Sequence, residues 1–144
     1  MYIIGEEEID EVVATLRSGW IGTGPKVAAF EAALAARLEV EQVVACSSGT
    51  AALHLALTAH DCGPGDEVIV PGLTYFAIPA MVTLLGARPV FADIGLKTHV
   101  LDPEKFRAAI TPRTKAVVPT HLFGTPCAMD EICEIAEENG IKVI

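Results

Sequence analysis

Hydrophobic positions in the first third of the chain recur at helical spacing. The acidic segment EEEIDEVVATLRSG is predicted to form an amphipathic helix that ends at Gly19, where a glycine can stop it. A second helix is predicted to begin at Pro25, because proline fits the first helical position. The apolar positions on one face of these two helices are Ile9, Val12, Val13 and Leu16 in the first, and Val27, Phe30, Leu34 and Leu38 in the second.

From Gln42 onward, short apolar runs alternate with helical patterns. The runs are QVVAC, EVIVP, PVFADI and KAVVPT, each followed by a helical segment, and IKVI comes last. Continuously apolar strands indicate burial on both faces, and helical crossovers of this length indicate parallel pairing. We therefore predict an α/β fold with a mostly parallel sheet covered by helices on both faces, and no internal boundary in residues 1–144.

Turn and cap residues agree with this prediction. Asp102 followed by Pro103 is typical of a helix start, and Gly140 is typical of a helix end that needs a left-handed residue. Pro79 lies inside an apolar helical pattern, so that helix should begin near Ala77 or be kinked.

Composition and charge narrow the classes of function. Acidic residues outnumber basic ones by 19 to 10, and a net charge of −9 argues against nucleic acid as a partner. Apolar runs stay well short of the roughly 20 residues that span a bilayer, so we expect no membrane segment and a cytoplasmic protein. The four cysteines form no C-x-x-C pair and the four histidines have no zincin spacing, so reduced thiols and no metal are expected.

One stretch is unusually free of bulk at a position where ligands bind. VVACSSGTAALHLAL, residues 43–57, reads as a buried strand, a turn of small residues and a helix. In a parallel sheet, ligands bind beyond the carboxyl ends of the strands, where helix N-termini offer unpaired N–H groups and a positive dipole end. Ser48, Gly49, Thr50 and Ala51 could thus hold a phosphate.

Two alternatives stay open for this turn on the residues alone. Small residues could serve only to let the helix pack closely on the sheet, with Ser47 or Ser48 as an ordinary N-cap. The sequence contains neither G-x-x-x-x-G-K-[ST] nor G-x-G-x-x-G, which argues against a Walker-type nucleotide site and a dinucleotide site. The segment DEVIVPGLTYFA helps to choose between a ligand site and simple packing, since it puts Tyr75 at the carboxyl end of a strand, on the same edge of the sheet as the serine turn. An aromatic ring beside a phosphate site suits a flat phosphorylated cofactor, whereas the alternative is a tyrosine packed at the sheet edge.

Together these segments resemble a known family. SGWIGTGP, SSGTAALHLAL, GPGDEVIVPGLTYFA, LLGARPVFADI and ITPRTKAVVPTHLFG are similar, in order and spacing, to the DegT/DnrJ/EryC1/StrS family of sugar aminotransferases. The resemblance covers essentially the whole chain. It implies an incomplete large domain of the pyridoxal phosphate (PLP)-dependent transferase fold type I, and a homodimer. The implied activity moves an amino group from glutamate or glutamine to a nucleotide-linked keto sugar.

The resemblance also implies roles for single residues. Ser48, Gly49, Thr50 and Ala51 would hold the cofactor phosphate, and Tyr75 would stack on its pyridine ring. His121 would lie close to cofactor and substrate, able to hydrogen-bond the ring oxygen or a sugar hydroxyl; otherwise it is a polar cap on a strand.

Thr23 lies in the loop WIGTGP, which borders the sugar pocket in the family. Its alternative role is simply to join two helices.

Two residues of the family's machinery have no counterpart in these 144 residues. One is the aspartate that pairs with the pyridine nitrogen, and the other is the lysine that forms the aldimine with the cofactor. The chain's lysines do not match the family's position: they are Lys26, Lys97, Lys105, Lys115 and Lys142. We therefore expect the N-terminal part of a large domain, inactive alone and with no catalytic residue. The alternatives are a non-catalytic remnant or regulatory fragment, and a PLP-dependent sugar dehydratase of the same family.

Overall fold

The computed structural model describes residues 4–144, which form two compact units that meet in sequence at Cys46 and Ser47. The first unit contains helices α1 (Glu6–Ser18) and α2 (Pro25–Leu38). Both predicted boundaries are confirmed: Gly19 adopts the left-handed conformation after α1 with φ of 73°, and Pro25 opens α2. Gly24 leaves room for the Trp20 indole, which a Cβ at this position would overlap.

The predicted strand over QVVAC is wrong. Residues 42–46 form no strand in the structure, and the Val44 side chain is 75% exposed rather than buried. The backbone N–H of Ala45 donates to the Glu31 carboxylate of α2 at 2.8 Å instead of to a neighbouring strand. A side chain thus satisfies a donor that the apolar pattern suggested would join a sheet ladder.

The second unit is built on a four-stranded, wholly parallel sheet in the order β2-β1-β3-β4. The strands are β1 (Glu67–Pro71), β2 (Arg88–Ala92), β3 (Thr114–Val117) and β4 (Lys142–Val143). The helices are α3 (Gly49–Ala59), α4 (Ala77–Leu84), α5 (Pro103–Ala109) and α6 (Met129–Glu138), with a 3₁₀ turn at Leu122–Gly124.

The helix boundaries of this unit follow the sequence. Helix α4 begins at Ala77, so Pro79 falls in its first turn, where the missing N–H costs no helical hydrogen bond. The Asp102 carboxylate caps α5 by accepting from the Glu104 and Lys105 amides, and Gly140 follows α6 with φ of 66°.

Side chains of the central strands alternate between two hydrophobic cores. Val68 and Val70 of β1 face one core with Leu57 of α3, and Ile69 faces the other with Phe106 of α5; all five are fully buried. The alternation follows from the two-residue period of a strand. Helices therefore cover both faces, α3 and α4 on one and α5 and α6 on the other, which confirms the predicted α/β class.

A buried carboxylate is held at the amino end of the sheet. Glu67 opens β1, is 2% exposed, and accepts hydrogen bonds from the Thr111 hydroxyl at 2.5 Å and the Arg113 guanidinium at 2.6 Å. These bonds, the threonine first, lower the pKa of Glu67 below its usual 4.5. The interaction fixes the loop before β3 to the start of β1.

Candidate functional site

The orientation of α3 follows from a contact at its C-terminal end and from its packing on the sheet. Its C-terminal end lies at the amino edge of the sheet, where the Lys115 ammonium near the start of β3 donates to the Asp61 carbonyl at 2.6 Å. The helix has 11 residues, or about 16 Å at 1.5 Å per residue, and packs on the core through Leu53 and Leu57. Its N-terminus therefore points toward the carboxyl edge, where the loops after β1 and β3 also emerge.

The N-terminus of α3 is capped by the serine turn. The Ser48 side chain accepts from the Ala51 amide at 3.1 Å, and the Ser48 carbonyl accepts from the Ala52 amide at 3.0 Å. The N-cap expected from the sequence is thus present. Within residues 4–144, the amides of Gly49 and Thr50 and the Thr50 hydroxyl make no hydrogen bond. These three donors, with the positive end of the helix dipole, suit an anion.

The surroundings of Gly49 distinguish the two interpretations of this turn, a phosphate site and close packing of α3 on the sheet. A Cβ built there would meet no atom within 4 Å, and the backbone does not adopt a positive φ that would favour glycine. Close packing of the helix on the sheet therefore does not account for this glycine. Open space at Gly49, next to two unbonded amides, leaves room for a phosphate.

Tyr75 lies in the loop between β1 and α4, at the carboxyl edge. Its side chain is 67% exposed, so it is not a packed core aromatic. The ring meets only the edge of Phe76 among the described aromatic residues, with centroids 6.1 Å apart and planes at 72°. An exposed ring at this edge is available to stack on a planar ligand.

His121 directly precedes the 3₁₀ turn that follows β3. Its imidazole Nδ1 accepts a hydrogen bond from the backbone N–H of Cys127 at 3.1 Å. Cys127 is itself buried and its thiol donates to the Thr120 carbonyl at 3.2 Å, while burial raises the pKa of that thiol. The histidine is therefore held in place by the backbone of the next loop while its side chain stays exposed.

A hydroxyl pair ties the Tyr75 and His121 loops together. The side chains of Thr74 and Thr120, the residues that immediately precede Tyr75 and His121, are 2.9 Å apart. Sequence reasoning missed both threonines and Cys127. The available signal was that each threonine stands before a candidate residue just beyond a strand, and parallel neighbouring strands deliver such positions to one edge.

Thr23 lies in the first unit, in the loop between α1 and α2. Its side chain is exposed, and its carbonyl accepts from the Trp20 indole N–H at 2.8 Å, which closes the loop on itself. The structure therefore gives Thr23 a backbone role within this loop. Its role toward a sugar stays a prediction.

Residues 4–144 contain neither a candidate metal cluster nor a candidate membrane-spanning helix. No group of three or more His, Cys, Asp or Glu side chains is arranged to hold a metal ion. No helix in that range combines the length and the apolar character needed to cross a membrane.

The fold and the carboxyl edge define a parallel α/β unit with an open helix N-terminus, an exposed tyrosine and an exposed histidine. The model of the DegT/DnrJ/EryC1/StrS aminotransferase family matches residues 2–144, and the chain belongs to that family. This finding confirms the family resemblance that the sequence motifs indicated.

Three relatives show how much of such a protein the chain represents. Spore coat polysaccharide biosynthesis protein SpsC of Bacillus subtilis (strain 168) is 51% identical over 142 residues, which are 99% of this chain and 36% of SpsC. The PLP form of Spr1654 from Streptococcus pneumoniae, a candidate sugar aminotransferase, gives a TM-score of 0.91 at 42% identity, covering 99% of this chain and 36% of Spr1654.

The third relative is NtdA of Bacillus subtilis with bound pyridoxamine phosphate (PMP). It gives a TM-score of 0.90 at 37% identity, covering 97% of this chain and 33% of NtdA. The chain spans about a third of the length of each of these relatives. Both structures have the fold of this chain, and each carries a pyridoxal-type cofactor.

Proposed function

We propose that this chain is the phosphate-binding part of a PLP-dependent aminotransferase that transfers an amino group from glutamate or glutamine to a nucleotide-linked keto sugar. The observation that carries the proposal is the open space at Gly49, beside the unbonded amides of Gly49 and Thr50. Family membership and the PLP- and PMP-bound relatives support it.

Each residue of the site has a defined task toward the cofactor. The amides of Gly49 and Thr50 and the Thr50 hydroxyl would donate to the phosphate, because phosphate oxygens accept several hydrogen bonds at once. The Ala51 amide is already taken by Ser48, so these two residues contribute to the site by fixing the helix start. Tyr75 would cover one face of the pyridine ring.

The cofactor, when bound, supplies an electron sink for the carbon that gains or loses the amino group. Its phosphate would carry about two negative charges, and the N-terminus of α3 is the end of that helix that favours them. No acidic residue lies within the first turn of α3 to oppose binding. The electrostatics of the described site are therefore favourable to the phosphate in spite of the acidic composition.

Three of the five lysines lie away from this site. Lys115 lies near the amino end of β3, where its ammonium contacts Asp61 and Asp66, at the edge opposite the candidate site. Lys142 opens β4, also at that edge, and Lys26 pairs with Glu11 within the first unit. We propose that these 144 residues hold PLP without transaminating, and that homodimer formation and a cytoplasmic location accompany the activity of the whole protein.

The experiment compares two glycine-to-alanine variants. Gly49→Ala adds a methyl group into the open space before the amides, and Gly63→Ala is the matched control in the turn before β1, where a Cβ would only reach ordinary contact distance. Binding of PLP, and of pyridoxal without phosphate, is followed by fluorescence titration, and unfolding by denaturant.

Gly49→Ala should weaken PLP binding by about tenfold or more, or about 1.4 kcal/mol, with no loss of folding stability. Gly63→Ala should bind PLP normally, and pyridoxal should bind both variants equally weakly. Unchanged PLP affinity in Gly49→Ala would contradict the phosphate assignment. Amine transfer to a nucleotide-linked keto sugar by the 144 residues alone would contradict the proposal that they hold PLP without transaminating.

A further inference from the structure

Two arginine side chains approach one buried carboxylate at the amino edge of the sheet, the edge opposite the candidate cofactor site. The Arg113 guanidinium donates to Oε1 of Glu67 through Nη2 at 2.6 Å and through Nε at 3.2 Å. Arg88 is paired with Glu67 in the register of β1 and β2, and its Nη1 lies 3.6 Å from the same oxygen, beyond hydrogen-bond distance. One carboxylate oxygen therefore faces two guanidiniums and is hydrogen-bonded to only one of them.

The other charges at this edge leave Arg88 without a carboxylate of its own. The Asp66 carboxylate lies 3.4 Å from the Lys115 ammonium, and Arg113 neutralises Glu67. Within the described part of the chain the Arg88 guanidinium makes no hydrogen bond, and its side chain is 73% exposed. Neutralisation of the buried carboxylate accounts for Arg113 but does not account for Arg88.

An open cavity of about 260 Å³ lies beside these arginines, and the turn before β1 forms part of its lining. Gly65 of that turn has a backbone N–H that makes no hydrogen bond to any residue from 4 to 144, and a Cβ built on it would meet no atom within 4 Å. A water molecule takes about 30 Å³ in the liquid, so the cavity has room for a phosphate.

We propose that this cavity binds a phosphoryl group, held by the guanidiniums of Arg88 and Arg113 and by the Gly65 amide. The three donors come from β2, from the residue before β3 and from the turn before β1. A tetrahedral phosphoryl group offers three oxygens to donors in different directions, whereas a carboxylate offers two oxygens in one plane.

Glu67 prepares this site for a ligand. It is 2% exposed and holds Arg113 by Nε and Nη2, so the guanidinium is already oriented and its Nη1 is left for a phosphoryl oxygen. A donor that is fixed before binding loses less conformational entropy when the ligand arrives. Both guanidiniums are largely exposed to solvent, which screens their charge, so we expect binding at millimolar phosphate.

The experiment must report on this site separately from the N-terminus of α3, which is also expected to bind phosphate. A ¹H–¹⁵N NMR titration of the 144-residue chain with inorganic phosphate, at constant ionic strength, follows the Gly65 and Gly49 amides in one spectrum. Arg88→Met keeps an unbranched apolar side chain and removes the guanidinium. Arg107→Met is the matched control, since Arg107 is a half-exposed arginine of α5 whose Nη1 donates to Glu138 at 2.8 Å.

Phosphate should shift the Gly65 signal to saturation in the parent and in Arg107→Met, and Arg88→Met should bind about tenfold more weakly at this site. The response of Gly49 should be the same in all three proteins. A Gly65 signal that ignores phosphate, or that responds equally in Arg88→Met, would overturn the proposal. Loss of the Gly49 response alone would count against the proposed function and leave this site standing.

Two further ligands test the chemical class. Acetate that shifts Gly65 as strongly as phosphate does at the same concentration would overturn the assignment to a phosphoryl group. Glycerol phosphate distinguishes the sources of such a group: binding as tight as that of inorganic phosphate supports a phosphate ester as the ligand, and weaker binding supports free phosphate.

Discussion

The Thr74 and Thr120 hydroxyls lie 2.9 Å apart although 46 residues separate them in sequence. Their hydrogen bond joins the loop after β1 to the loop after β3, and each threonine directly precedes a candidate cofactor residue. The bond therefore links the loop that carries Tyr75 to the loop that carries His121.

The effects of replacing Thr74 and Thr120 on folding stability should not add, because each change alone already removes their shared hydrogen bond. Thr74→Val and Thr120→Val should each destabilise the chain by about 0.5–1.5 kcal/mol, and the double variant should cost little more than one of them. Denaturant unfolding of the parent, the two single variants and the double variant measures these free energies of unfolding. Thr83→Val is the control, since its hydroxyl donates to the Pro79 carbonyl within α4 and its effect should add to that of Thr74→Val. Strict additivity of Thr74→Val and Thr120→Val would argue against a direct bond.

Thr50→Val should weaken PLP binding by about 1.5–3 kcal/mol, because it removes a hydroxyl donor to a charged phosphate. The matched control is Thr58→Val at the other end of the same helix, whose hydroxyl donates to the His54 carbonyl at 2.8 Å. Fluorescence titration should show normal affinity in Thr58→Val. Equal losses in the two variants would indicate a general effect on α3 rather than a phosphate contact.

Folding stability should fall in acid partly through Glu67. Its pKa is lower in the folded chain than the usual 4.5, so its contribution is complete above about 4.5 and is lost as pH falls through the folded value. We expect Glu67→Gln to be less stable than the parent at pH 7 and to lose less stability on acidification. Urea unfolding of the parent and of Glu67→Gln from pH 7 to pH 3 measures the slope of the free energy of unfolding against pH for each protein. Identical slopes would show that Glu67 does not contribute to the acid transition.

The cysteines should differ sharply in their reaction with iodoacetamide. Cys62 and Cys127 are buried, and burial raises the pKa of each thiol, so little thiolate is present at pH 8. Cys133 is exposed on α6. Mass spectrometry should find Cys133 alkylated in the native chain and Cys62 and Cys127 only after denaturation. Early labelling of Cys127 would mean that the loop holding His121 opens readily.

Much of the fold was predictable because it depends on local chemistry. Gly19, Pro25 and Gly140 end or begin helices through their own backbone preferences, and Asp102 begins α5 through its side-chain cap. The strand over EVIVP was equally clear, since a fully buried central strand is continuously apolar. The apolar run QVVAC carried the same signal but forms no strand, and the Ala45 amide donates to the Glu31 carboxylate.

By itself the sequence determined the alternation of helices and strands, the family, and the residues that stand beyond the strand ends, since each depends on residue type and spacing along the chain. Only the tertiary structure decided what those residues meet: open space at Gly49, the Cys127 amide on His121, and the hydroxyl pair of Thr74 and Thr120. The physical reason is that a hydrogen bond between two loops requires both to emerge at one edge of a sheet, at a register that is set when the parallel strands pair.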